Sequence, residues 1–191
     1  MDMIIRQARK DEAARIAQLF MLAWPAEEMA ASNGITMEQM LESVTAFAAA
    51  PDTIYSWRNT FVAEVDGTVA GAMCGYDGAD YQILKQPIVN ILGKDSAFAE
   101  LQETEAGEYY IDSVGVLPEY RGRGIASRLF KAHFAHAAAL GHKTAGLIVD
   151  VDKPEAEALY ARLGFTHHGN KDFFGHEMKH MTKNLEEIPC Y

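Results

Sequence analysis

Basic residues are in short supply. The 191 residues carry 17 lysines and arginines against 27 aspartates and glutamates, a formal net charge of −10. That balance argues against a nucleic-acid binder, which must neutralise phosphates with a basic face. As a sign of a cationic partner it is weak, because acidic surfaces also serve solubility. Cysteine is scarce too. Cys74 and Cys190 stand far apart, which excludes a disulfide scaffold and leads us to expect reduced thiols in a cytoplasmic protein. Long apolar runs are missing: no stretch approaches the roughly 20 residues a membrane span needs. The start, Met1-Asp2-Met3-Ile4-Ile5-Arg6, lacks the basic-then-apolar order of a secretion signal. No internal repeat and no low-complexity tract occurs. What is present, 49% hydrophobic and 23% charged residues, is ordinary for a folded protein, and the length suits one domain with or without an insertion.

Periodicity supplies the elements. Met3 to Ala8 reads as a strand. Asp11 opens a helical pattern through Ala13, Ile16, Leu19, Phe20 and Ala23 that ends at Trp24-Pro25. A second helix is expected from Thr36, capped by its hydroxyl with Gln39 reaching back, and stopped by Pro51. Asp66-Gly67 between the strand-like runs 60–65 and 68–76 signals a tight hairpin. Residues 79–107 read as a helical insertion that Pro87 breaks or restarts. Beyond it follow a strand over 108–116, a helix over 122–140, a strand over 144–151 and a helix over 154–163 ended by Gly164. The tail, with Phe165, Thr166, Phe173, Phe174, Met178 and Met181, supplies two closing strands. The class is α/β or α+β.

The informative stretch runs from Val114-Gly115-Val116 through Arg121-Gly122-Arg123-Gly124-Ile125-Ala126-Ser127. A strand ends, a turn follows, and glycines lead into a helix whose first N–H groups lack partners and carry partial positive charge. Glycines let that backbone approach a bulky anion, and Arg121 and Arg123 add charge, so the stretch reads as a phosphate cradle. A flexible loop is its plain alternative. No Gly-Lys-Ser/Thr ending and no Gly-x-Gly-x-x-Gly run with a downstream acid is present, which excludes nucleotide-triphosphatase and dinucleotide loops.

With these residues the chain resembles the GNAT superfamily of N-acetyltransferases. Arg121-Gly122-Arg123-Gly124-Ile125-Ala126 fits that family's Arg/Gln-x-x-Gly-x-Gly/Ala signature, and Val116, Pro118 and Tyr120 fall where the family commonly has them. Leu147-Ile148-Val149-Asp150 and Ala156-x-Ala158-Leu159-Tyr160-x-x-x-Gly164-Phe165 match its second half. The resemblance runs from about Tyr109 to Phe165 and extends back towards Met3. It implies a mixed twisted sheet of about six to seven strands flanked by helices, with the insertion between strands 3 and 4. Strands 4 and 5 are expected to splay, with the pantetheine arm of acetyl-CoA bonding to the backbone of Val114, Gly115 and Val116. The pyrophosphate would rest on the N–H groups of Gly122 to Ser127. The implied reaction is direct transfer of an acetyl group to an amine acceptor, with a homodimer allowed and no metal expected.

The resemblance casts Tyr160 as proton donor to the leaving sulfur and a backbone N–H near Val114 as oxyanion donor. Asp112, on the same strand face as Val114, is the candidate base, and a structural carboxylate is its other reading; Glu108 or a water chain is the fallback. Lys153 stands where the family often has Asn, and it would meet the cofactor as a point charge. A module that binds acyl-CoA without catalysis is the alternative on the same fold. His176-Glu177-Met178-Lys179-His180 matches the zinc-protease His-Glu-x-x-His pattern, but that pattern requires a helix and a strand is expected here. No well-placed third ligand follows, although His167 and His168 are candidates, and adventitious metal binding is the milder reading. His133 and His136 read as surface or core-edge residues, and Trp24, Trp57 and Tyr81 as buried aromatics or lining of an acceptor pocket.

Overall fold

Asp66 and Gly67 set the first register. Their φ angles of 48° and 82° are left-handed, as a two-residue hairpin turn requires. Thr60–Val65 (β2) therefore pairs antiparallel with Thr68–Asp77 (β3), and Met3–Gln7 (β1) adds antiparallel to β2 with Ile5 opposite Ala63. The remaining strands are Glu108–Val116 (β4), Thr144–Asp150 (β5), Thr166–Phe173 (β6) and His176–Asn184 (β7). All seven form one mixed sheet in the order β1-β2-β3-β4-β5-β7-β6. The helices are Ala13–Met21 (α1), Ala26–Ser32 (α2), Met37–Ala49 (α3), Tyr81–Leu92 (α4), Ala97–Glu100 (α5), Ile125–Ala139 (α6) and Pro154–Arg162 (α7). The computed structural model describes residues 2–94, 96–173 and 175–186. Phe174 and Cys190, named above, lie outside the described residues. The expected mixed sheet flanked by helices is present, and among the described residues no helix is long and apolar enough to cross a membrane.

The chain divides into two compact units whose boundaries fall inside β3, β4 and α6. The first comprises residues 1–75 and 113–132. Its core packs Ile16, Leu19 and Phe20 of α1 against Val62, Ala72 and Cys74 of the hairpin, all wholly buried. Trp24 is part of that packing: its Nε1 donates to Ser113 Oγ at 2.9 Å, and its ring lies 4.9 Å from that of Tyr55. Gly115 is demanded by close approach, since a Cβ there would stand 1.8 Å from the Leu19 carbonyl oxygen. The helix expected from Asp11 begins at Ala13, after a 3-10 turn over Lys10–Glu12. The Glu12 carboxylate accepts from Arg9 N at 2.8 Å and from Arg6, so these side chains shape the turn first. Helix α2, just after Pro25, was not anticipated. Helix α3 starts as expected, with Gln39 N donating to Thr36 Oγ1 at 3.1 Å and Thr36 N to Gln39 Oε1 at 2.9 Å.

The second unit comprises residues 76–112 and 133–191. Helix α4 runs through Pro87 instead of breaking there. The carbonyl that Pro87 cannot serve belongs to Ile83, which is 72% exposed, so solvent can reach that turn of the helix. Below α4, Lys85 is buried and its Nζ donates to the carbonyls of Ala99 at 2.8 Å and Leu101 at 2.6 Å, tying the insertion together. Burial lowers the Lys85 pKa. Gly146 on β5 makes room for a buried pair: a Cβ there would stand 2.0 Å from Glu108 Oε2, which lies 2.9 Å from His180 Nε2. His133, read from sequence as a surface or edge residue, is wholly buried, and its Nδ1 lies 2.9 Å from the Tyr109 hydroxyl. His136 is half-buried, and burial lowers its pKa.

Candidate active site

The glycine-rich stretch belongs to the first unit. β4 ends at Val116, and Leu117 N donates to the Ala70 carbonyl at 2.9 Å. A 3-10 turn over Pro118–Tyr120 reverses the chain. Gly122 and Gly124 then take φ angles of 74° and 77°, a conformation that L side chains resist. Arg128 N donates to the Gly124 carbonyl at 3.1 Å, which makes Gly124 the residue before the first helical position. The N–H groups of Ile125, Ala126 and Ser127 consequently have no acceptor within α6. The helix expected from Gly122 thus begins at Ile125, because the two left-handed glycines form the approach and not the first turn. Arg121 to Gly124 are exposed, and nothing lies within 4 Å of a Cβ built on either glycine. Arg121 Nε donates to the Val116 carbonyl at 3.2 Å and Arg123 NH2 to the Glu119 carbonyl at 2.9 Å, so both guanidinium groups are held beside the loop. The Arg123 guanidinium also stacks 5.1 Å from the Tyr120 ring centre.

β4 alternates as the sequence implied: Asp112, Val114 and Val116 are half-buried on one face, and Ser113 and Gly115 are buried on the other. β4 and β5 pair in parallel from Glu108 opposite Thr144 to Tyr110 opposite Gly146, and both strands continue past that last pair.

Tyr160, in the second unit, owes its position to the end of α7. Gly164 N donates to the Ala161 carbonyl and Phe165 N to the Tyr160 carbonyl, both at 3.0 Å, while Gly164 takes φ 92°. This is a Schellman cap, and its usual apolar contact is the Phe165 ring meeting Tyr160 edge-on at 6.1 Å. Lys179 on β7 pins α7 through Glu157, one turn before Tyr160, at 2.7 Å. The spacing Tyr160-x-x-x-Gly164-Phe165 is thus a cap that orients a tyrosine. Burial raises the Tyr160 pKa, so the phenol keeps its proton at neutral pH.

Asp112 accepts the Tyr76 hydroxyl at 2.7 Å. The same unit holds a residue that sequence reasoning missed: Glu103, buried, accepts the Tyr110 hydroxyl at 2.6 Å. Burial, then the charge of Asp112, pushes Glu103 up to about 8. Burial likewise raises Tyr76 and Tyr110 well above their usual value. Tyr81 is wholly buried and its hydroxyl finds no hydrogen-bond partner among the described residues. Two carboxyls and three tyrosines thus share a low-dielectric cluster, of which Asp112 and Tyr81 were singled out in advance. The one signal available was the run of acids before β4, which reads equally as surface. Glu108, the fallback base, is directed to His180. Lys153 is exposed before α7, where its N–H caps the Asp150 carbonyl at 3.0 Å. Residues 176–180 are strand, as expected, so His176 and His180 are not arranged as a helix would arrange them.

A mixed sheet whose fourth strand runs into a glycine-rich, arginine-flanked helix start defines the class as an α/β protein. The family model for the acetyltransferase (GNAT) family matches residues 15–165, and the chain belongs to that family. A solved structure described as that of an acetyltransferase is 32% identical over 95% of this chain and 99% of its own, with a TM-score of 0.78. An N-acetyltransferase from Staphylococcus aureus Mu50 shares the fold, with a TM-score of 0.81 at 24% identity over 94% of this chain and 99% of its own. A mycothiol acetyltransferase of Streptomyces griseus is 44% identical over 66 residues, 35% of this chain and 21% of that protein. The chain spans between 19% and 34% of the length of the curated relatives it matches.

Proposed function

We propose that this chain moves the acetyl group of acetyl-CoA directly onto an amine of a small molecule or protein. The observation that carries the reading is the exposed approach to α6, where Arg121, left-handed Gly122, Arg123 and left-handed Gly124 lead into the N–H groups of the helix start. In this reading the N–H groups of Gly122 to Ser127 hold the pyrophosphate. The backbone of Val114, Gly115 and Val116 takes the pantetheine arm as an added strand, and Lys153 reaches one of its oxygens or a phosphate. The Val114 N–H faces the oxyanion of the tetrahedral intermediate.

The amine must lose a proton to attack the thioester carbon. The Asp112/Glu103 pair accepts it, and a carboxyl held up to about 8 is matched to that task. As the intermediate collapses, the C–S bond breaks with its electron pair on sulfur, and Tyr160 supplies the proton there. We take the two compact units to act as one domain, working in the cytoplasm. The relatives named as mycothiol acetyltransferases support acetyl transfer, but their partial overlap carries no argument for their acceptor.

Thiol release from acetyl-CoA, followed with a panel of polyamines, amino acids, peptide N-termini and aminoglycosides, tests the reading. Release with at least one amine, abolished by Glu103→Gln with Asp112→Asn, is expected. Cofactor binding without release on any amine would replace catalysis with an acyl-CoA-sensing role.

A further inference from the structure

The His-Glu-x-x-His spacing fails as a helical motif, yet strand pairing gives one of its histidines new company. β6 and β7 pair antiparallel, with His167 opposite Met181 and Gly169 opposite His180, so His168 is an extra, bulged residue. Its ring meets that of His180 edge-on at 5.3 Å. Glu105 arrives from the segment before β4, at a fixed place. Gly78 lets that backbone approach, since a Cβ there would stand 2.3 Å from the Glu105 carbonyl oxygen, and Thr104 Oγ1 donates to the Gly78 carbonyl at 2.6 Å. We infer that Glu105, His168 and His180 form a binding site for a zinc-type divalent cation, with a fourth position open to water.

The ring of His180 is prepared for the role. It is 2% exposed, and the Glu108 carboxylate, which can only accept, fixes the proton on Nε2. Nδ1 is then the nitrogen left to face a metal, and it lies 3.7 Å from Glu105 Oε1. A carboxylate on the far nitrogen of a ligating histidine is the usual support of a zinc site. One donor atom from each of the three residues lies within 4.8 Å of the others. Tetrahedral zinc with bonds near 2.1 Å needs donors about 3.4 Å apart. The required closure falls on Glu105 and His168, both exposed and able to move. Two imidazoles and one carboxylate favour zinc over calcium or magnesium, which prefer oxygen alone. Lys171 is the opposing charge: its Nζ lies 3.1 Å from Glu105 Oε1 and donates to the Glu103 carbonyl at 3.0 Å. Each carboxylate oxygen offers two lone pairs, so Glu105 can keep Lys171 and still ligate a metal.

Calorimetric titration of chelator-treated protein with zinc chloride tests the site. One equivalent should bind and raise the melting temperature. His168→Ala and Glu105→Gln, both exposed positions, should each weaken binding at least tenfold, while His167→Ala and His176→Ala leave it unchanged. No binding by the wild type overturns the inference. So does binding that survives His168→Ala, follows His167 or His176, or vanishes on thiol alkylation.

Discussion

Replacing Glu103 with glutamine should make the protein more stable in alkali while weakening its chemistry. Glu103 is 8% exposed, and its pKa of about 8 stands against an ordinary 4.5. Between those two values the native state holds a proton that the unfolded chain releases. Stability therefore falls as pH rises through that window, by at most about 1.4 kcal/mol for each pH unit. The ceiling is about 5 kcal/mol over the whole window. Burial sites relax around a charge, and Lys171 and Lys85 partly compensate it, so about half of that is expected. Glutamine keeps the size and can still accept the Tyr110 hydroxyl, but it cannot ionise. Urea melts at pH 5 should place the variant within about 1 kcal/mol of wild type. At pH 9 the variant should be the more stable by about 2–3 kcal/mol. Acetyl transfer should meanwhile fall by about a hundredfold or more. A stability difference that is the same at both pH values would refute the reasoning.

Three further outcomes are expected. Gly115→Ala puts a methyl 1.8 Å from the Leu19 carbonyl, so α1 must shift; a loss of about 3 kcal/mol or more in a denaturant melt follows. Tyr160→Phe should lower turnover and leave acetyl-CoA affinity intact, and Gly164→Ala should do the same more mildly by straining the cap at a cost of about 1 kcal/mol; steady-state kinetics beside cofactor titration separates the two parameters. Arg6 hydrogen bonding and charge hold Glu12 below its usual pKa, so this pair stabilises above the ordinary carboxyl range and is lost as pH falls through the depressed value. Glu12→Gln should therefore cost about 1–2 kcal/mol at pH 7, with the gap to wild type narrowing in melts taken to successively lower pH below the ordinary carboxyl range.

Much of the frame could be read locally. Asp66-Gly67 dictated a turn because both residues tolerate positive φ, Thr36 with Gln39 formed a box that needs only four residues, and Gly122 and Gly124 announced a backbone exposed before a helix. Helix α2 escaped because its seven residues offer only Ala26 and Ala30 as a buried stripe, too short for periodicity. Pro87 misled because its cost depends on whether water reaches the Ile83 carbonyl, which is a fact of tertiary structure. The Glu103 cluster was invisible for a similar reason. Tyr76, Glu103, Tyr110 and Asp112 lie up to 36 residues apart, and only the fold makes them neighbours. The bulge at His168 was equally hidden, since a register shift belongs to a pair of strands and not to either alone.

Calorimetry of the apo protein with acetyl-CoA bears most directly on the cradle at α6. One equivalent should bind, and Arg121→Ala with Arg123→Ala should weaken binding by about 10- to 100-fold, roughly 1.4–2.8 kcal/mol. No heat with any CoA species, or equal affinity in the double variant, would contradict the account.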